Sequence, residues 1–331
     1  MGDFERFLKG GIDVARVLCV GILVADLIGR PIENFPEKGK LLLVDEMSLH
    51  VGGCAHNTGV DLHKLGEEVQ IIGKVGRDGL GEFIINSLRR RGMDTSGILF
   101  TDQANTSATM VLLDSSGERT FLHYPGANRT LRSQDISDEM LAASQLVHVA
   151  GSFLMPGFDG EETALLLKRA KALGKTTSLD TAWDDTGSWF SLLEPVVPHL
   201  DILISNYDEA SRISGKEELP DIGAFFLKFG IQVVAIKMGP QGSFIMTPQD
   251  KVLVPPFTVE AVDGTGAGDA FAAGFIFGYL RGWDWYQVGR FANACGAMCV
   301  QMMGATEGVG SFEEVAEFIR SNSAYLGGEV N

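Results

Sequence analysis

Apolar, β-rich runs alternate with helical patterns along this 331-residue chain. That rhythm predicts an α/β protein built on a mostly parallel sheet covered by helices. Two further observations agree. The 41 glycines suit many tight strand–helix turns. A hydrophobic content of 45% is enough for a substantial core.

Strand candidates lie at 17–25, 69–75, 146–150, 176–180, 201–205 and 232–238, with helical patterns at 55–65, 80–91, 160–173, 207–213 and 221–229. The first run, Val17 to Ala25, imitates a signal-peptide core. However, Asp3, Glu5 and Asp13 precede it where a basic lead is expected, so it reads as a buried strand. The last third changes character. Two long helices, 267–281 and 285–302, carry many small residues, and a shorter one at 312–320 closes the chain.

Residues 31–51 and 98–125 break the rhythm and read as extended segments. Thr106 to Leu113 and Glu118 to Tyr124 flank the turn Asp114-Ser115-Ser116-Gly117, a hairpin pattern. Together the two regions predict a small β-sheet lid on a single domain spanning 1–331; an edge extension of the main sheet is the alternative.

Acidic residues outnumber basic ones 43 to 27, for a net charge of −16. This argues against nucleic acid or an anionic membrane as partner, and no apolar run is long enough to span a bilayer. Cys19, Cys54, Cys295 and Cys299 form no Cys-x-x-Cys pair. Buried thiols in a reducing cytoplasm are expected. There is no His-Glu-x-x-His and no Gly-x-Ser-x-Gly, so zinc-protease and hydrolase-elbow readings have no anchor.

The chemistry concentrates in Asp263-Gly264-Thr265-Gly266-Ala267-Gly268-Asp269, which leads into an apolar helix. Glycines let a ligand approach the backbone closely. The free N–H groups of a helix start suit a phosphate or a developing negative charge. Asp269 does nothing for anion binding, but beside an anion hole it can take a proton from an attacking hydroxyl. That pairing suggests phosphoryl transfer to an alcohol; packing and a favourable helix-dipole charge are the alternatives.

Three other segments join it. Gly52-Gly53-Cys54-Ala55-His56-Asn57 runs into a helix, and Asn57 matches a pair of sugar hydroxyls or is an ordinary first-turn residue. Asn206-Tyr207-Asp208-Glu209 follows strand 201–205. It reads as a capping box, or as a ligand site at a strand's C-terminal end, with Glu209 holding a water on Mg²⁺. Lys237-Met238-Gly239-Pro240-Gln241-Gly242 ends strand 232–238. Its glycines admit a nucleotide, and Lys237 is a nucleotide contact or a solvated charge.

Together these residues resemble the ribokinase/PfkB-type carbohydrate kinase family, from about Val17 to Phe318. The family signature Asp-Thr-x-Gly-Ala-Gly-Asp matches residues 263–269, with Gly264 in place of the usual Thr. The resemblance implies a ribokinase-like fold. It makes Asp269 the catalytic base and the amides of Gly266, Ala267 and Gly268 the anion hole. It gives Asp263 a monovalent cation, K⁺. Asp26 and the Gly-Gly motif with Gly53 and Asn57 match the sugar contacts. Asn206 and Glu209 match the Asn-x-x-Glu linked to Mg²⁺ and phosphate. Gly239 and Gly242 match the nucleotide loop, and Asn293 falls on the helix bordering adenine.

Three departures bear on the substrate. Val24 replaces a polar residue often found two positions before Asp26. Cys54 stands where ribokinases and several sugar-phosphate kinases carry Lys. Asp180-Thr181-Ala182-Trp183-Asp184 replaces the Asp-Pro-Asn-x-Arg block of many fructokinases and ketodeoxygluconate kinases. Arg129, in Pro125-Gly126-Ala127-Asn128-Arg129, is the cation expected to meet a substrate carboxylate. The expected activity is therefore ATP- and Mg²⁺-dependent phosphorylation of a non-phosphorylated sugar or sugar acid by a homodimer joined through its lids. A nucleoside kinase and a non-catalytic binding regulator are the alternatives.

Overall fold

A computed structural model describes residues 16–116 and 118–323. Gly117 of the predicted hairpin turn and the acidic residues Asp3, Glu5 and Asp13 lie outside the described residues.

The body is a nine-stranded sheet in the order β13-β12-β11-β10-β9-β8-β1-β4-β5. Its parallel part runs through β11 (Val233–Lys237), β10 (Ile202–Asn206), β9 (Thr176–Thr181), β8 (Leu146–Ser152), β1 (Arg16–Gly21), β4 (Glu68–Gly76) and β5 (Ile98–Thr101). Two short antiparallel strands, β12 (Ser243–Met246) and β13 (Lys251–Val254), extend the far edge.

Strand β1 shows why helices cover both faces. Val17 and Cys19 enter one core, and Leu18 and Val20 the other. A strand buried on both sides must be apolar at every position. One core is closed by α1 (Cys54–Lys64), α2 (Gly79–Arg90), α8 (Ala267–Leu280), α9 (Trp285–Cys299) and α10 (Phe312–Ser323). The other is closed by α3 (Asp138–Ala143), α4 (Glu161–Ala172), α5 (Phe190–Leu193), α6 (Tyr207–Ser214) and α7 (Leu219–Leu227). Helix α8 is apolar on all sides and packs against both α1 and α9.

The second sheet has four strands in the order β3-β2-β6-β7: β3 (Glu46–Gly52), β2 (Val24–Arg30), β6 (Ala108–Leu113) and β7 (Arg119–Tyr124). The predicted hairpin is its β6–β7 pair. Two predicted boundaries differ. The single strand 17–25 is two strands, since the chain leaves the body after Gly21 and re-pairs as β2. A Cβ on Gly21 would lie 2.1 Å from the Ala150 carbonyl oxygen, so this close crossing needs glycine. Asn128 clamps the bend, accepting from the Leu23 amide at 3.2 Å and donating to the Leu23 carbonyl at 3.0 Å. Residues 98–101, expected in the lid, pair with β4 in the body. A short apolar run gives no sign of which sheet it joins; that depends on a partner far away in sequence.

In the body, β1 has β8 on one side and β4 on the other. This is a topological switch point, where a crevice opens at the C-terminal strand ends. Gly21, Ser152, Thr181, Asn206 and Lys237 all end strands there.

Candidate active site

Two helices start at this crevice, and both start on glycine. Gly53 precedes α1 at φ 96° and Gly266 precedes α8 at φ 79°. A Cβ would come within 2.4 Å of the Ile22 carbonyl oxygen at Gly53, and within 2.4 Å of the Ala305 carbonyl oxygen at Gly266. Neither helix has a side-chain cap, and the Ala267 amide makes only a long bond of 3.4 Å to the Gly264 carbonyl, so these helix starts offer amides to a ligand. The two starts are tied together. Asn57 Nδ2 donates to Asp269 Oδ2 at 2.8 Å, and the Thr58 hydroxyl donates to the Asp269 carbonyl at 3.3 Å. His56 Nδ1 lies 3.0 Å from Asn57 Oδ1. Burial pulls His56 down to about 4, so the ring is neutral and donates from Nδ1, which fixes the amide's orientation.

Asp269 is buried, and burial raises its pKa against the pull of Asn57, Lys237 and Cys54. A carboxylate held above its ordinary range can accept a proton more readily than a free one. Lys237 reaches Asp180 at 2.7 and 3.0 Å, and its ammonium lies 3.1 Å from where a Cβ on Gly268 would stand. Burial pulls Lys237 down, but Asp180, Glu209 and Asp269 together hold it above the ordinary lysine range. It is charged and faces the glycine turn that starts α8; it is not a solvated surface lysine. Burial pushes Asp180 up to about 7 even with Lys237 alongside.

Asn206 caps α6 by accepting from the Glu209 amide at 2.8 Å. Glu209 accepts from the Thr181 hydroxyl at 2.7 Å and is raised by burial. Asp180 and Thr181 were not among the predicted contacts. Their position at the C-terminal end of a predicted strand is the signal that finds them. Cys54 opens α1, and burial above all, with Asp269 and Asp180 adding, pushes its thiol well up. A neutral thiol therefore occupies this position.

Asp26 lies on the lid, paired in register with His50 and Thr109. Gly52 lets it approach: a Cβ there would meet Asp26 Oδ2 at 2.1 Å. Burial raises Asp26, partly offset by Thr109 and His50. Arg129 is exposed, and its guanidinium has no partner among the described residues. Sequence reasoning also missed its neighbour Asn128, which clamps the β1–β2 bend.

Gly239 and Gly242 border a cleft of about 360 Å³ that also takes in Lys237, Asn293, Pro256 and Val259. Gly239 and Gly242 have φ of 55° and 90°, and a Cβ on Gly242 would strike the Val254 carbonyl oxygen at 2.1 Å. Asn293 Nδ2 donates to the carbonyls of Val254 and Pro255 at 3.2 and 3.1 Å. Asp263 sits apart from this cleft. It accepts from the amides of Thr265 at 2.8 Å and Gly304 at 3.0 Å, and from Arg119 of the lid. Although partial burial pushes it up, these bonds hold it below the usual range.

Known proteins share this fold and part of this sequence. The chain is 30% identical over 248 residues to an uncharacterized sugar kinase of Archaeoglobus fulgidus, covering 75% of this chain and 97% of that protein. It is 27% identical over 292 residues to the probable fructokinase-5 of Arabidopsis thaliana, covering 82% and 89%. The solved ribokinase of Arabidopsis thaliana complexed with ribose and ATP superposes with a TM-score of 0.82 at 24% identity, covering 93% of this chain and 99% of that one. The fold is thus ribokinase-like, with a large mixed sheet and a smaller four-stranded one. A family model described as pfkB family carbohydrate kinase matches residues 14–310, and the chain therefore belongs to that family of ATP-dependent kinases.

Proposed function

We propose that the protein transfers the γ-phosphate of ATP to a hydroxyl of a non-phosphorylated sugar or sugar acid, with Asp269 as general base. The observation that carries this reading is the Asn57–Asp269 contact of 2.8 Å. It joins the helix start matched to sugar with the helix start matched to phosphate. The sugar hydroxyl gives its proton to Asp269, its oxygen attacks the γ-phosphorus, and the bond to the β,γ-bridging oxygen breaks to release ADP. The amides of Gly266, Ala267 and Gly268 hold the developing charge, with the Lys237 ammonium beside Gly268 adding to the positive field. Glu209 and Asn206 suit an outer-sphere site for the Mg²⁺ of ATP, because Glu209 is buried and bound through one oxygen to Thr181. Bound there, Mg²⁺ supplies charge neutralisation on the phosphates. Gly239, Gly242 and Asn293 shape the adenine end.

Asp26, Gly53 and Asn57 are the proposed sugar contacts, with Arg129 free to meet an acidic group. A neutral Cys54 offers no charge to a second phosphate, which a sugar phosphate would need. The lid, from 24–52 and 106–125, covers the sugar and excludes water, so that ATP is not hydrolysed instead. The register sets Leu49, Leu27, Met110 and Leu122 side by side on one lid face. Leu49, Met110 and Leu122 are 38%, 47% and 48% exposed. Burying that row against a second copy supports a lid-to-lid homodimer. All four cysteines are free thiols, in keeping with a cytoplasmic setting, and no helix of the described residues is long and apolar enough to cross a membrane.

An ATP-consumption assay over neutral sugars, sugar acids, sugar phosphates and nucleosides tests the reading. A neutral or acidic sugar is expected to lead. Preference for fructose 6-phosphate, or for a nucleoside, would overturn the substrate class. Sedimentation showing a fully active monomer would remove the dimer and leave the kinase.

A further inference from the structure

One lid side chain reaches the loop that carries the anion hole. Arg119 opens β7 just after the hairpin turn, and Asp114 holds that turn by accepting from the amides of Ser116 and Glu118 at 2.8 and 2.9 Å. From this fixed base the Arg119 guanidinium donates to the Asp263 carboxylate and the Thr265 hydroxyl. Asp263 is buried, and its two oxygens also take the amides of Thr265 and Gly304. The loop's own backbone is pinned as well, since the Val262 and Asp263 amides both donate to the Val300 carbonyl, at 2.7 and 3.0 Å.

The family resemblance sends a monovalent cation to Asp263. The residues here do not fit one. A bound K⁺ needs a ring of oxygen ligands that replaces its water. In this chain the carboxylate is already neutralised by a guanidinium, the Thr265 hydroxyl is turned to the same guanidinium, and Gly264 lacks the side-chain oxygen of the usual Thr.

We infer that Arg119 takes the place of the monovalent cation: it neutralises Asp263, fixes the 263–268 loop, and so makes formation of the anion hole depend on the lid rather than on K⁺. Arg119 is a positioning residue, acting through Asp263 and Thr265. The planar fork suits this task better than a lysine, because one guanidinium satisfies two acceptors at once. The inference rests on the kinase reading for its purpose, but its test does not require turnover.

The test measures affinity for a non-hydrolysable MgATP analogue by calorimetry on the full chain, in KCl and in tetramethylammonium chloride at matched ionic strength. Wild type is expected to bind equally in both salts, within about twofold. Arg119→Met is expected to bind about tenfold more weakly in tetramethylammonium, as for loss of a charged hydrogen bond, and to regain at least threefold in KCl. Arg119→Lys keeps the charge without the fork, so it should fall between and stay indifferent to K⁺. Thermal melts of all three check that each is folded. Tighter binding of wild type in KCl by fivefold or more would overturn the inference. So would a folded Arg119→Met that binds like wild type in both salts. If the inference holds while no sugar is phosphorylated, the kinase reading alone fails.

Discussion

The two ends of the crevice are built from different materials. The proposed nucleotide end is mostly backbone and apolar surface: glycines at positive φ, a loop pinned by carbonyls, and a cleft with few polar side chains. The proposed sugar end is built of side chains from distant parts of the chain. Asp26 comes from a strand of the small sheet, Asn57 from α1, and Asp269 from α8. A cofactor common to a whole family can be held by backbone geometry, which tolerates sequence change. A substrate that differs between relatives has to be told apart by side chains. The difference also separates the effects of substitution at the two ends.

The largest effect belongs to Asp269, where the two ends meet. Asp269→Asn is expected to lower kcat by about 10²–10⁴, while affinity for an ATP analogue stays within a few fold. Single-turnover and calorimetric measurements on the same sample read both. Activity within threefold of wild type at saturating sugar would remove Asp269 as the base.

Next comes Lys237, whose loss strands Asp180 in the interior. Removing one partner of a buried pair costs about 3–5 kcal/mol, and protonation of Asp180 keeps the loss of Lys237→Met near the lower end. The pH dependence follows from the direction of the shift. Asp180 is already raised to about 7 from 3.8, and removing the ammonium raises it further. The folded state then holds a proton that the unfolded chain releases, so stability is retained at low pH and lost as pH rises through the folded pKa. Urea unfolding should show the smallest gap from wild type near pH 5 and the widest above pH 7. A gap independent of pH would mean that Asp180 is not left charged and unpaired.

Asp26 and Asn57 sharpen the contrast. Asp26→Ala is expected to weaken sugar binding on the order of tenfold to a hundredfold with kcat little changed. Asn57→Ala should lower both, because Asn57 also holds Asp269. If the two variants give the same split between KM and kcat, the Asn57–Asp269 contact has no role in the chemical step.

Most of the body was legible because a strand buried on both faces must be apolar throughout, and helix starts announce themselves with glycine or a capping side chain. The Asn206 cap is an instance of the second. The lid was legible as a hairpin but not in its limits. Nothing local tells that the run 17–25 breaks after Gly21, because the reason is the Ala150 carbonyl on a strand far along the chain. In the site, Asp269 and the glycines could be read because backbone approach and a helix start impose residue types. Arg119 and Asn128 could not be read in the same way. Each acts on a partner 105 or more residues away, and a lone Arg or Asn carries no trace of such a partner in its neighbours.

The smallest effect is expected from Asn293, and it should fall on the nucleotide end alone. Its amide donates to the carbonyls of Val254 and Pro255, joining α9 to the end of β13 along the cleft wall. Asn293→Ala removes both bonds, but the Pro255 carbonyl keeps its bond from Arg290 at 3.1 Å, so only the bond to the buried Val254 carbonyl is lost without a replacement. The net loss should therefore be that of an ordinary hydrogen bond, about 0.5–1.5 kcal/mol, or roughly two- to tenfold in affinity for an ATP analogue. Sugar affinity should not move, because the changed contact lies on the wall away from Asp26 and Asn57. Calorimetric titration of each ligand separately decides the matter. A matching loss in sugar affinity would show that the two ends are not independent, and the division between a backbone-built nucleotide end and a side-chain-built sugar end would have to be abandoned.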